Sequence, residues 1–327
     1  MKHYFLKSSI PEDLGRLKSL GLFVVWDNYL SGTVPASIYN ISSIYYFTVA
    51  QNQLQGKIPT DVGTTLPNLV VFAGGVNKFT GSIPLSLSNA SALQVLDFAE
   101  NGLIGGLPHN LANLRNLSRL NFDDNRLGSG KTGDLDIIRL FSNCTFLEVL
   151  GLAGNIFGGE LPKSIANLST HLEIFTIGRN VIHGRIPPGI GNLINLTSLG
   201  LEGNQLGGSV PDELGKLQRL NRLYMNVNKF SGPIPSSLGN LTSLTSDDDD
   251  DDYLRNQSDF EEQTIIEDGN NRGNGKRRTE ECLVSVMRVG LLCSNVDPRE
   301  RLLMNVVVNK MQAIRNSYFK FKNKGKA

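Results

Sequence analysis

Apolar and polar residues alternate in short bursts through residues 21–244, and the bursts return at a nearly fixed spacing. Leu199 to Pro211, LGLEGNQLGGSVP, shows the unit. Leu199 and Leu201 alternate with small or polar neighbours, which predicts a half-buried strand. Asn204 closes that strand and Leu206 returns an apolar group inward. Gly208 marks a sharp turn, and Pro211 fixes φ on the outward leg. The frame sets an asparagine at Asn28, Asn52, Asn77, Asn101, Asn125, Asn155, Asn180, Asn204 and Asn228, at intervals of 24, 25, 24, 24, 30, 25, 24 and 24 residues. One unit cannot bury its own apolar side, so successive units must stack on a shared core. Their strands should pair in parallel about 4.8 Å apart. The expected architecture is an α/β solenoid with a curved parallel sheet on the concave side. Irregular, 3-10 or short helical segments should form the convex side.

Each asparagine should point inward and satisfy backbone groups of its own turn and of the adjacent one. Replacement by leucine, as in Asn101→Leu, would orphan such groups at about 1–3 kcal/mol each. Glycines such as Gly56, Gly105 and Gly232 read as turn formers, because no helix follows them as a phosphate loop requires. The period and the L-x-x-L-x-L-x-x-N frame mark a leucine-rich repeat, here in nine copies.

The chain divides into four parts. Residues 1–20 resemble a repeat entered midway, since Ile10 to Leu17 match the back half of the unit. Residues 21–244 are the solenoid. In its third repeat Gly74 replaces an inward apolar residue, which should weaken that strand. In its fifth, Gly128 to Phe141 (GSGKTGDLDIIRLF) replaces the Ile-Pro leg, with Leu135, Ile137, Ile138 and Leu140 set for a short convex helix. GSGKTG looks like a phosphate loop but lacks the required spacing, and no core strand should lead into it. Residues 245–280 hold six consecutive aspartates, Asp247 to Asp252, and should form a solvated, disordered linker. Residues 281–327 read as two amphipathic helices with a basic end.

Net charge is +1, which argues against nucleic acid as a main partner. Cys144, Cys282 and Cys293 cannot make a disulfide framework, and Cys144 reads as a small buried apolar residue. Neither a cofactor nor a metal site is expected. The aspartate run lacks a calcium loop's alternation, and the cysteine spacing is not that of zinc. The chain as written shows no signal peptide and no membrane span. Eight N-x-S/T sequons, at Asn40, Asn89, Asn116, Asn143, Asn167, Asn195, Asn240 and Asn256, are glycosylation candidates pointing to secretory ancestry, although N-L-[ST] also arises from the repeat itself.

Two segments, Asn52-Gln-Leu-Gln-Gly-Lys-Ile-Pro59 and Asn228-Lys-Phe-Ser-Gly-Pro-Ile-Pro235, carry the N-x-[LF]-x-G-x-[IVL]-P frame, which resembles the plant-type leucine-rich repeat. The tail from Glu281 through Cys293, Pro298-Arg299-Glu300-Arg301 and Val306 to Arg315 looks like the C-terminal end of the kinase domain in plant leucine-rich repeat receptor kinases of the pattern-sensing subfamily. The long fifth repeat ending in Asn143-Cys144-Thr145 is similar to that subfamily too. No Gly-rich loop, V-A-I-K, H-R-D, D-F-G or A-P-E accompanies the tail, so no kinase activity is expected. Arg301 lacks the A-P-E glutamate with which its family counterpart pairs. The resemblance implies a non-catalytic ligand-recognition module at the plasma membrane, extracellular side, with a peptide or protein ligand and a co-receptor, in defence or developmental signalling. Two alternatives stand beside it: a truncated, non-signalling remnant or mis-joined gene model, and a secreted inhibitor of cell-wall-degrading enzymes.

Residues four and two places before each asparagine should face out on the concave sheet in two lanes. Asp97 and Asp123 occupy them in adjacent repeats, with Glu100 and Asp124 beside, so four carboxylates cluster. They repel unless a cation or basic group arrives. Arg119 and Arg222 share the face, and Arg179, Glu202 and Tyr224 continue it. Trp26 is the candidate apolar anchor. The alternative for any one of these residues is an ordinary solvated surface. The expected ligand carries a basic segment over repeats four and five. Asp97→Ala with Asp123→Ala should weaken its binding with little effect on the melting temperature.

Overall fold

The computed structural model describes residues 5–245. The proposed linker beyond Thr245, the helical tail, Cys282, Cys293 and the Asn256 sequon lie outside the described residues. Nine three-residue strands, from Leu22–Val24 to Arg222–Tyr224, pair in sequence order as one parallel sheet. Corresponding positions align across it, so that Leu96 lies between Phe72 and Leu120. The frame repeats, so every strand delivers its middle apolar residue to the same side.

A second row of strands follows the asparagines on the flank of the solenoid. It is split into a six-stranded sheet ending at Arg126–Leu127 and a four-stranded one starting at Gly158–Glu160. The split falls where the 30-residue interval lengthens the fifth repeat. There the α-helix Ile137–Leu140 and the 3-10 turn Phe141–Asn143 replace the usual outer leg. Elsewhere a proline opens the convex 3-10 turn, as Pro84, Pro187 and Pro211 do with φ of −66°, −65° and −73°. The pyrrolidine ring sets that angle in advance, and the absent N–H is not needed at a helix start.

The core is a continuous stripe beneath the sheet. Phe47, Phe72 and Phe98 stack edge to face at centroid separations of 5.3 and 4.8 Å. Each such ring, fully buried, contributes about 1.5–3 kcal/mol. Gly74 leaves no void in the core. A Cβ there would collide with the Phe98 ring, so the next repeat fills the space that the glycine concedes. The strand Val71–Ala73 is as long as its neighbours.

The asparagines form a ladder. Asn125 Oδ1 accepts the Leu103 N–H at 3.0 Å. Its Nδ2 donates to the carbonyls of Phe98 (2.9 Å), Phe122 (3.2 Å) and Asp123 (3.1 Å). Asn77, Asn101, Asn155, Asn180 and Asn204 repeat the pattern. The residue just before each asparagine is left-handed, with φ of 51° at Asp27, 54° at Val76, 53° at Glu100 and 51° at Arg179. That twist turns the chain out of the concave strand and aims the asparagine inward.

Candidate functional site

The two lanes face the concave side, but the middle of the trough is closely packed. Ala73, Ala99, Asn121, Ala153 and Thr176 are all buried there. The four carboxylates of repeats four and five do meet, and most of their charge is answered within the chain. Asp97 Oδ2 accepts from Arg119 Nε at 2.8 Å and from Asn121 Nδ2 at 3.0 Å, and its Oδ1 accepts the Ala99 N–H at 3.1 Å. Both side chains of the ion pair are five-sixths buried. Asp124 accepts from Arg179 Nη2 at 3.0 Å in a more open pair.

Asp123 is only 4% exposed. Its Oδ1 accepts the Ala153 N–H at 2.6 Å, and the Thr176 hydroxyl lies 3.1 Å from both oxygens. Burial pushes this carboxyl up to about 7, with Asp124 and Asp97 adding to the rise and the two hydrogen bonds opposing it. Two corrections follow. Asp123 is not a solvated surface group, and Asp97→Ala with Asp123→Ala would break five polar contacts within the trough and lower the melting temperature.

Two of these contacts cross an entire repeat. Asp124 meets Arg179, and Asp123 meets Thr176, with the sixth repeat between them. That repeat presents Gly151, Ala153 and Gly154. A Cβ at Gly154 would collide with Asp124, and one at Gly151 with Asn121. The small residues let the fifth and seventh repeats touch over the sixth.

Glu100 and Glu202 keep more of their carboxylate character exposed to circumstance. Burial raises the Glu100 carboxyl, Asp124 and Asp97 raise it further, and Arg179 lowers it. Burial likewise raises Glu202, against its own backbone N–H and Arg179. The Glu202 side chain lies over Gly178, where a Cβ would collide with it, and its Oε2 is buried without a hydrogen-bond partner among the described residues. Trp26 is half-buried in the first repeat. Arg222 and Tyr224 lie in the last strand of the sheet, four strands from Arg119–Asn121. Asn121 and Thr176 hold the carboxylates and are the residues that lane position alone did not single out.

The loop resembling a phosphate cradle is already filled. Only a two-residue strand of the flanking sheet, Arg126–Leu127, precedes it. Its N–H groups at Ser129, Lys131 and Gly158 all donate to Asp134 Oδ2, and the Ser129 hydroxyl donates to Oδ1 at 2.7 Å. Burial opposes ionisation of Asp134, but these bonds hold its carboxyl below the usual range. Cys144 is buried, which pushes its thiol up to about 11 and makes it a poor nucleophile. Of the sequon residues, Asn40, Asn89, Asn116, Asn143, Asn167 and Asn240 are exposed, and Asn195 is half-buried. Among the described residues no helix is long and apolar enough to cross a membrane.

The leucine-rich repeat family model matches residues 92–114, 195–217 and 219–241. A probable leucine-rich-repeat receptor-like serine/threonine-protein kinase of Arabidopsis thaliana is 55% identical over 92 residues, which is 28% of this chain and 9% of the relative. Among solved structures, the PEPR1–AtPEP1 complex matches with 33% identity and a TM-score of 0.61, over 74% of this chain and 36% of that one. The Arabidopsis receptor kinase HAESA, solved with the peptide hormone IDA and the co-receptor SERK1, matches with 27% identity and a TM-score of 0.60, over 74% and 44%. The chain thus spans under half the length of these proteins. The chain carries leucine-rich repeats, and it is similar in sequence to segments of Arabidopsis receptor-like kinases and in fold to plant receptor ectodomains.

Proposed function

We propose that the chain is a non-catalytic recognition module which binds a peptide or protein with a basic segment along its concave face, over repeats four and five. The observation that carries this reading is the acidic excess there. Asp97, Glu100, Asp123 and Asp124 lie with the cations Arg119 and Arg179, and Glu100 and Asp124 stand at the accessible edge. A ligand ammonium or guanidinium beside Glu100 opposes the burial and the neighbouring Asp124 and Asp97 charges that raise it. PEPR1 and HAESA, solved with peptide ligands, support a peptide for this chain as well, and a co-receptor as a further protein partner. The exposed convex sequons support placement outside the cell, with carbohydrate away from the concave face.

A fluorescent lysine-rich dodecapeptide provides the test. Glu100→Gln should weaken its capture about two- to fivefold, as loss of one partly exposed charge pair implies, and should flatten the salt dependence. The convex pair Asp212→Asn with Glu213→Gln should leave capture unchanged. Capture that survives Glu100→Gln but is lost in the convex variant refutes the concave assignment.

A further inference from the structure

The trough is not uniform along its length. Six places before the asparagines, a third lane on the same face reads Leu22, Tyr46, Val71 and Val95, and then changes to Arg119. Leu22 is 54% exposed, and Tyr46, Val71 and Val95 are half-buried. The floor beside them is low, made of Ala50, Ala73, Gly75 and Ala99. Val24, 54% exposed, and Trp26 close it at one end, and the Asp97–Arg119 pair closes it at the other. Within these three lanes the first three repeats carry no charged residue. Thr48 on the same floor is 1% exposed, and its hydroxyl has no hydrogen-bond partner among the described residues.

The apolar bed therefore runs directly into the acidic group, and one extended ligand can lie on both. Resting on the reading above, we infer that the ligand is a two-part peptide, with apolar residues over repeats one to three and a basic residue beside Glu100. The spacing follows from the sheet. Glu100 belongs to repeat four, two strand steps from repeat two and three from repeat one, so the two centres lie about 10–14 Å apart at about 4.8 Å per step. An extended peptide rises about 3.3 Å per residue, so about three to four residues separate the apolar anchor from the basic one. Charge complementarity selects this occupant. An acidic peptide meets repulsion at Glu100, and a uniformly basic one leaves the three uncharged lanes of the first three repeats without apolar contact.

A displayed library of random dodecapeptides, panned on the full chain, tests both readings. The expected pool holds large apolar residues about three to four positions from Lys or Arg. One such peptide should bind at least fivefold more weakly to Val24→Glu and to the milder Val71→Thr, which keeps side-chain volume if the first variant folds poorly. Its affinity should also fall with Glu100→Gln. A pool of basic peptides without apolar residues, sensitive to Glu100→Gln but not to the valine changes, overturns the two-part ligand and leaves the acidic concave site standing. A pool insensitive to all three changes, or no enrichment over a blank surface, overturns both.

Discussion

Replacing Asn125 by leucine isolates what the asparagine ladder contributes. The side chain is 8% exposed and of nearly leucine's size, so volume is conserved while every polar contact is lost. The consequences for the partners are unequal. The Phe98 carbonyl still accepts from Asn101 at 3.2 Å, the Phe122 carbonyl from Asn155 at 2.9 Å, and the Asp123 carbonyl from the Glu100 N–H at 2.8 Å. The Leu103 N–H, bonded to Asn125 Oδ1, has no second acceptor and is sealed from water. One orphaned buried donor costs about 1–3 kcal/mol, and three weakened carbonyls add a fraction of that, so Asn125→Leu should lose about 2–4 kcal/mol. Asn28 supplies the control. It accepts the N–H of exposed Leu6 at 2.7 Å, which water can replace, so Asn28→Leu should lose about 1 kcal/mol or less. Urea denaturation followed by far-UV circular dichroism measures both. Equal losses for the two variants, or a loss under about 1 kcal/mol for Asn125→Leu, would refute the claim that sealed inter-repeat donors set the ladder's worth.

Further measurements test separate features. The raised Asp123 carboxyl binds its proton more tightly folded than unfolded, so its stabilising contribution is full below about pH 4 and is lost as pH rises through about 7. Wild-type stability should decline between pH 5 and 8, and Asp123→Asn should flatten that decline; an unchanged slope in the variant contradicts the assignment. Val76 is a β-branched residue at φ 54°, a conformation that costs about 1–2 kcal/mol, so Val76→Asn should raise stability by about 1 kcal/mol, and a loss would show that its side chain packs. Gly74→Ala drives a methyl into the Phe98 ring and should cost about 1–3 kcal/mol, whereas a gain in thermal midpoint would show that the glycine weakens its strand.

The repeat, the inward asparagines and the parallel sheet were legible because a fixed period converts sequence position directly into spatial position. The Asp97–Arg119 pair was within reach of the same logic, since its members sit in neighbouring lanes of adjacent strands. The contacts from Asp123 to Thr176 and from Asp124 to Arg179 were not. They depend on the absence of side chains at Gly151 and Gly154, and a lane written out as letters does not show that one repeat can be bridged by its neighbours. Burial of Asp123 escaped for the same reason: alternation gives the face, but not how narrow the trough is. Asp134 as the occupant of the GSGKTG loop needed the fold to bring Gly158 against Ser129 and Lys131.

The asparagine ladder also has a direction. Each amide reaches back to the turn before it and never forward, as Asn125 does to Leu103 and Asn155 to Leu127. On a ribosome, where the chain emerges from its N-terminus, a turn remains unsealed until the next one has been made. At about 5–20 residues per second, a spacing of some 24 residues means that closure lags synthesis by about 1–5 s. The 30-residue interval after Asn125 lengthens the wait at the middle of the growing chain, just where the carboxylates of the trough are being brought together.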